Sequence, residues 1–167
     1  MRRARHITCL LLLIALAAPL AACGGGNDKS TPGKTQLKNE GDRKGAEAAV
    51  RDYLHGLVAK DGAKACSKLT PAYQKSVLKQ NAAFAKKQKA TTCPELIDAI
   101  TRVSSSVSFE GQSLAAQTVD KLKLVTTVRE GGEEQNATVT GAQGIQRYEL
   151  ITQNGKWVIA EITRAGG

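Results

Sequence analysis

One stretch decides the fold, because it predicts a β-hairpin. It reads Gln146-Arg147-Tyr148-Glu149-Leu150-Ile151-Thr152-Gln153-Asn154-Gly155-Lys156-Trp157-Val158-Ile159-Ala160-Glu161-Ile162-Thr163. Two runs rich in aliphatic and aromatic residues flank Asn154-Gly155, the strongest short signal for a two-residue turn. Such a turn also fixes the pairing of the two strands. Counting back from it, Leu150 opposes Ile159 and Tyr148 opposes Glu161.

This register predicts one largely apolar strand face, because side chains alternate between the two faces. We expect that face to pack against helices or to line a cavity. The candidate pocket residues on it are Tyr148, Leu150, Trp157, Ile159 and Glu161. Two positions of the Glu161 carboxylate stay open. It lies at the solvent rim, or it is partly buried with the Tyr148 hydroxyl as partner, which is the one place where chemistry or a polar ligand contact is expected.

Helical periodicity dominates the part of the chain that precedes the hairpin. Over 43–60, apolar residues recur at the three- and four-residue spacing of one helix face. They are Ala46, Ala49, Val50, Tyr53, Leu54, Leu57 and Val58. His55 falls nearly opposite this stripe, so we expect it to face solvent and to take no part in catalysis.

Three further helices are predicted from their boundary signals. A short helix over 63–69 carries Cys66. The next covers 71–87, because Thr70-Pro71 supplies an N-cap and a proline at the first helical position. Thr92-Cys93-Pro94-Glu95 has the pattern of a capping box and opens the last helix.

After Ser104 the hydrophobic period changes from that of a helix to that of a strand. Strands are predicted over 119–128 and 136–140, joined by a polar turn at 130–135. The segment 105–118 fits no single pattern. Helices followed by a meandering antiparallel sheet predict the α+β class.

The N-terminal residues 1–22 have the features of a secretory signal peptide. Arg2, Arg3 and Arg5 precede an apolar run, and small residues follow it. The sequence Leu20-Ala21-Ala22-Cys23 resembles the lipobox of bacterial lipoproteins at all four positions. The resemblance implies cleavage after Ala22, a diacylglyceryl group on the Cys23 sulfur, and a location outside the cytoplasm on the cell membrane.

Two alternatives to lipidation stay open. One is a membrane-spanning helix, although the apolar run 7–18 is shorter than the roughly 20 residues that a bilayer requires. The other is ordinary cleavage that leaves Cys23 as a free thiol. The residues 23–42 are mostly glycine and polar, which predicts a flexible tether and leaves 43–167 as one α+β domain.

The remaining cysteines favour a disulfide. Cys9 lies in the signal peptide and Cys23 in the lipobox, which leaves Cys66 and Cys93 in an oxidising compartment. The alternative is two separate buried thiols. A zinc site is disfavoured because the chain has no Cys-x-x-Cys and a single histidine beyond the signal peptide.

Positive charge is concentrated in one part of the chain. The whole chain has 24 Lys and Arg against 15 Asp and Glu, and the stretch 42–93 holds 11 of the former and four of the latter. Lys75, Lys79 and Lys86 share one face of the predicted helix. We expect them to meet anionic lipid or a cell-wall polymer, or else simply to keep the domain soluble. Nucleic acid is disfavoured, because aromatic residues are few and none alternate with Lys or Arg.

Several segments resemble the nuclear transport factor 2-like superfamily, in particular the small actinobacterial lipoproteins that share its conical fold. They are Ala49-Val50-Arg51-Asp52-Tyr53-Leu54, Lys60-Asp61-Gly62, Ala65-Cys66-Ser67-Lys68-Leu69-Thr70-Pro71, Tyr148-Glu149-Leu150 and Asn154-Gly155-Lys156-Trp157-Val158-Ile159. The resemblance implies N-terminal helices packed on a curved antiparallel sheet. It implies no single activity, because the superfamily includes isomerases, dehydratases, ligand binders and transport factors.

Three hypotheses of function follow. The first is a membrane-anchored envelope lipoprotein whose domain is a non-catalytic binding or interaction module with a protein partner. The second is a carrier or sensor for a small apolar ligand held in the cone. The third is an isomerase- or dehydratase-like enzyme, which would need a carboxylate of raised pKa in an apolar pocket. No metal or cofactor is expected in any of them.

Overall fold

A computed structural model describes residues 32–109, 111–129 and 135–164, with the backbone alone over 32–39. The signal peptide, Cys23 and the residues of the predicted tether up to 31 lie outside this part. The described helices are α1 Pro32–Val58, α2 Gly62–Cys66, α3 Pro71–Gln80, α4 Ala82–Gln88, α5 Cys93–Val103 and α6 Ala116–Val119. The described strands are β1 Val107–Phe109, β2 Gln112–Leu114, β3 Leu124–Arg129, β4 Asn136–Gly141, β5 Gln146–Gln153 and β6 Lys156–Arg164.

Helix α1 begins at Pro32, not near residue 43, so the predicted start of this helix is wrong. The polar segment that was expected to be flexible contains good helix formers, and composition alone does not separate the two states. Its last residues also contact the rest of the domain. The Gln135 Nε2 atom donates a hydrogen bond to Asp42 at 3.2 Å. The Lys44 Nζ atom pairs with Glu40 one helical turn away at 2.6 Å.

The capping signals of the sequence are confirmed. Thr70 accepts a hydrogen bond from the Tyr73 backbone N–H at 3.1 Å, with Pro71 in the first turn of α3. Thr92 and Glu95 form the predicted capping box at the start of α5. The single helix predicted over 71–87 is wrong, because α3 ends at Gln80. The Asn81 side chain donates to the carbonyl of Val77 at 2.9 Å and competes with the helical hydrogen bonds.

The strands form an antiparallel meander. Strands β3, β4, β5 and β6 lie in that order, each paired antiparallel with the next, and β1 and β2 form a separate two-stranded sheet. The predicted strand over 119–128 is wrong in its first half, because α6 and a turn occupy 116–123. Helix α1 packs across one face of the four-stranded sheet and contacts β3, β4 and β6. The α+β class is thus confirmed, and the conical superfamily fold stays a prediction.

The core lies between α1 and this sheet face and continues to α2 and α5. Its largest fully buried side chains are Tyr148, Leu54, Leu96, Leu150, Ile159, Val50, Val119 and Val139. Four of the residues expected on the apolar stripe of α1 are buried, namely Ala46, Ala49, Val50 and Leu54. The helical period of the sequence therefore identified the face of α1 that packs.

Candidate functional site

The turn-proximal half of the hairpin has the predicted register and faces the core. Thr152 pairs with Trp157, and Leu150 pairs with Ile159. Leu150 and Ile159 are buried. Trp157 is half-buried against α1, where a Cβ atom on Gly45 would lie 2.7 Å from the Trp157 Cδ1 atom. This face therefore packs on a helix, as expected.

The other half of the hairpin does not have the predicted register. The pairing shifts next to Leu150, so that Glu149 pairs with Glu161 and Tyr148 pairs with Ile162. One extra residue on β6, Ala160, makes this a β-bulge. Because one residue of shift reverses the face, Tyr148 and Glu161 point to opposite sides of the sheet. The prediction that these two residues share a pocket is wrong.

The physical reason for the shift is a contact on the outer side of β6. Ile159 donates a backbone hydrogen bond to Lys68 at 2.7 Å and accepts one from Thr70 at 2.9 Å. These bonds form a short parallel bridge between Leu69 and Ile159. The bridge ties β6 to the segment between α2 and α3 at the residue that precedes the bulge.

Aromatic rings fill the space around Tyr148. Tyr148 is 1% exposed. Its ring centroid lies 6.3 Å from that of Phe109, in a stacked arrangement, and 6.3 Å from that of Tyr53, edge to face. Burial raises the pKa of Tyr53 far above its usual value, so its hydroxyl stays protonated. The predicted pocket position is thus a packed aromatic cluster.

Glu161 lies in a groove along β6, the last strand of the sheet. It is exposed, and it lines a cavity of about 290 Å³ between α3 and β6 together with Tyr73. The Tyr73 hydroxyl donates to the carbonyl of Ile162 at 3.4 Å. Burial raises the pKa of Tyr73, and the negative charge of Glu161 adds to this. The Glu161 carboxylate is exposed, so it gives the groove an anionic rim.

A second cavity of about 210 Å³ lies beside the β1–β2 hairpin and α6. Phe109, Leu114 and Leu122 give it an apolar floor, and Thr118 and Lys123 are among the polar residues at its rim. Its volume is below the roughly 300 Å³ at which pockets for drug-sized ligands begin. It suits a ligand of a few heavy atoms.

Two polar side chains of α1 hold the segment around α6. The Arg51 guanidinium donates to the carbonyls of Val119 at 2.7 Å and Leu122 at 2.9 Å. The His55 Nε2 atom lies 2.9 Å from Asp120 Oδ1, and this hydrogen bond lowers the pKa of Asp120. The His55 side chain is only 25% exposed, so the prediction that it simply faces solvent is wrong. Sequence reasoning missed this contact because the partners are 65 to 71 residues apart.

The disulfide prediction is confirmed. Cys66 and Cys93 are bonded, with 6.1 Å between their Cα atoms. The bond joins the end of α2 to the start of α5, and both residues are 2% exposed. The three predicted surface lysines, Lys75, Lys79 and Lys86, are all exposed, the first two on α3 and the third on α4.

No family model, no curated protein and no solved structure matches this chain. Over residues 32–109, 111–129 and 135–164, no three His, Cys, Asp or Glu side chains come together as they do in a metal site. No helix within those described ranges combines the length and the apolar character needed to cross a membrane.

Proposed function

We propose that this chain is a lipoprotein of the bacterial cell envelope, anchored to the cell membrane through lipid on Cys23. Its folded part, from α1 to β6, is a non-catalytic binding or interaction module held outside the cytoplasm. Cleavage after Ala22 frees the mature chain, and the residues between Cys23 and α1 link the anchor to the module.

The observation that carries this proposal is that Cys66 and Cys93 form a disulfide with each other and leave Cys23 unpaired with either of them. Cys66 and Cys93 are bonded to each other, and a structural disulfide is typical of proteins in oxidising compartments. Of the two other cysteines, Cys9 lies within the signal peptide and Cys23 lies in the lipobox-like Leu20-Ala21-Ala22-Cys23, so Cys23 is the cysteine available for lipid. A single acyl chain holds a protein on a bilayer only marginally, whereas the two chains of a diacylglyceryl group hold it firmly.

The hairpin supports the non-catalytic part of the proposal. An enzyme of the kind considered would use a carboxylate inside the fold, and Glu161 is the carboxylate that the hairpin was expected to supply. Glu161 is exposed on the opposite sheet face from Tyr148. The face that packs on α1 instead carries Tyr148, Leu150 and Ile159, which are all buried.

Detergent-phase partitioning of the protein from its own host tests the anchor. The wild-type protein is expected in the detergent phase. Cys23→Ala should appear in the aqueous phase or accumulate as unprocessed precursor, because no thioether can form. The matched control is the Cys66→Ala/Cys93→Ala variant, which should stay in the detergent phase. A Cys23→Ala protein that is processed and still partitions into detergent would place the anchor elsewhere.

A carrier or sensor of a small apolar ligand is the second candidate, favoured by the cavity with the Phe109, Leu114 and Leu122 floor. Native mass spectrometry of protein purified from its host would then show an added small mass. Leu122→Trp fills the cavity and should remove that mass, whereas Val125→Trp, on the exposed edge strand β3, should keep it. An empty wild-type protein would count against this candidate.

A further inference from the structure

The stretch from Gly62 to Pro94 contains no acidic residue. It contains seven lysines, which are Lys64, Lys68, Lys75, Lys79, Lys86, Lys87 and Lys89. Five of these lie in residues 71–90, which comprise α3, α4 and the turn that follows, and which we call the basic arm. The stretch 62–94 therefore has a net charge of +7, and five of these charges lie on the basic arm.

The lysines of the basic arm are available to a partner. All five are exposed. In the described part of the chain, ion pairs form elsewhere, such as the one between Lys68 Nζ and Asp52 Oδ2 at 2.7 Å, and none involves a lysine of the arm. Among the described residues, no carboxylate forms an ion pair with these five lysines.

The basic arm is held by hydrogen bonds near both ends, so the backbone that carries its lysines is in position before any partner binds. The Gln74 Nε2 atom donates to the carbonyls of Cys66 at 2.8 Å and Leu69 at 3.1 Å. At the far end, Glu95 accepts hydrogen bonds from Thr91 and Thr92, which lowers the pKa of Glu95 and keeps it ionised. A preorganised surface binds with little further loss of conformational entropy.

The arm also keeps apolar surface partly exposed. Helix α3 has no fully buried residue, and α4 has only Ala85. Val77, Leu78 and Phe84 are half-buried. Lysines beside partly exposed leucine and phenylalanine are typical of helices that lie at a membrane interface.

We propose that the basic arm docks on anionic phospholipid headgroups of the membrane that carries the anchor. The inference rests on the proposed function for the location of the protein. The chain from Cys23 to Pro32 spans at most about 30 Å, which would keep the domain close to the bilayer. The half-buried apolar side chains favour a bilayer over a water-soluble wall polymer, because only the bilayer offers an apolar boundary.

Vesicle co-sedimentation of an unlipidated protein tests the arm separately from the anchor. The protein is the chain 23–167 with Cys23→Ser, which holds every described residue, and Thr31–Gly167 form a compact unit by themselves. The arm variant is Lys75→Gln/Lys79→Gln/Lys86→Gln. The matched control is Lys60→Gln/Lys121→Gln/Lys156→Gln, which removes the same charge from three exposed lysines outside the arm. Circular dichroism verifies the fold of each protein.

The protein with an unchanged basic arm is expected to bind vesicles of phosphatidylglycerol mixed with phosphatidylcholine and not to bind vesicles of pure phosphatidylcholine. It should dissociate from the anionic vesicles in high salt. Each lysine near an anionic bilayer contributes about fivefold in affinity, so the arm variant should bind about a hundredfold more weakly. The control variant should stay within about threefold of the wild-type affinity.

Three results would overturn the inference. One is no binding to anionic vesicles by the wild-type surface. Another is an equal loss in the arm and control variants, which would show that net charge alone acts. The third is equal affinity for vesicles and for soluble poly(glycerol phosphate), which would exclude a preference for the bilayer. None of these bears on Cys23, because the protein tested has no lipid, and the detergent-phase result does not bear on the arm.

Discussion

Removing the cross-link between α2 and α5 should cost a large part of the stability of this domain. The bond closes a loop with a sequence separation of 27. In the chain-entropy model, opening a loop of that size lowers the free energy of unfolding by about 3.5 kcal/mol. The change is Cys66→Ala/Cys93→Ala, because alanine avoids placing a serine hydroxyl where both sulfur atoms are buried.

Differential scanning calorimetry under non-reducing conditions measures the effect. For a folded part of about 130 residues, the entropy of unfolding is about 0.28 kcal/mol per kelvin, so the melting temperature should fall by about 12 °C. Two matched controls separate the causes. Wild-type protein scanned in the presence of a reductant loses the cross-link but keeps both sulfur atoms, and its melting temperature should fall by a similar amount. Cys23→Ala, which changes a residue outside the described ranges and no described contact, should leave the melting temperature unchanged.

If reduced wild-type protein melts within about 3 °C of the oxidised protein, the cross-link does not supply the stability assigned to it. A fall seen only in the double-alanine variant would assign the effect to lost packing of the two sulfur atoms. In either case, the disulfide would not be what constrains the loop between α2 and α5.

Two further predictions concern the contacts that hold the helices together. Gly62→Ala should lower the free energy of unfolding in urea by more than about 2 kcal/mol, because the new Cβ would lie 2.2 Å from a backbone oxygen of α5 and beside the Asp98 carboxylate that accepts the Gly62 N–H. Gly41→Ala, in open space on α1, should instead raise it by about 0.5–1 kcal/mol, and equal effects of the two changes would refute the argument. Asp120→Asn should lower the free energy of unfolding at neutral pH. The hydrogen bond from His55 lowers the pKa of Asp120, so the ionised carboxylate stabilises the folded protein. This contribution is lost as the pH falls below the usual aspartate pKa of about 4 and Asp120 is protonated. Urea titrations of both proteins across pH check this, and a stability difference that does not shrink in acid would contradict it.

Signals that act within a few residues were sufficient to predict much of the fold. The capping box at Thr92, the Thr70-Pro71 helix start and the Asn154-Gly155 turn all appear where expected. The positive φ values of Asn154 and Gly155, 51° and 72°, are those that such a hairpin turn requires. Each of these features is formed by residues that are close together in the chain, so a short stretch of sequence is sufficient to predict it.

The wrong predictions depend on contacts between residues far apart in the chain. The bulge at Ala160 accompanies hydrogen bonds from Ile159 to the segment at Lys68 and Thr70. Helix α6 lies where a strand was expected, and Arg51 of α1 donates hydrogen bonds to the carbonyls of Val119, at its end, and of Leu122. No pattern within β6 or α6 indicates these partners. The alternation of residues along β6 therefore could not reveal that Tyr148 and Glu161 lie on opposite faces of the sheet.

The central claim is the lipid on Cys23, and the mass of the N-terminal peptide of the mature protein tests it most directly. Protein is purified from the membrane of its host, digested, and its N-terminal peptide is measured by tandem mass spectrometry. The account predicts a peptide that begins at Cys23 and carries a diacylglyceryl group on sulfur, with or without a third acyl chain on the amine. A peptide that begins at another residue, or at Cys23 with a free thiol, would contradict it.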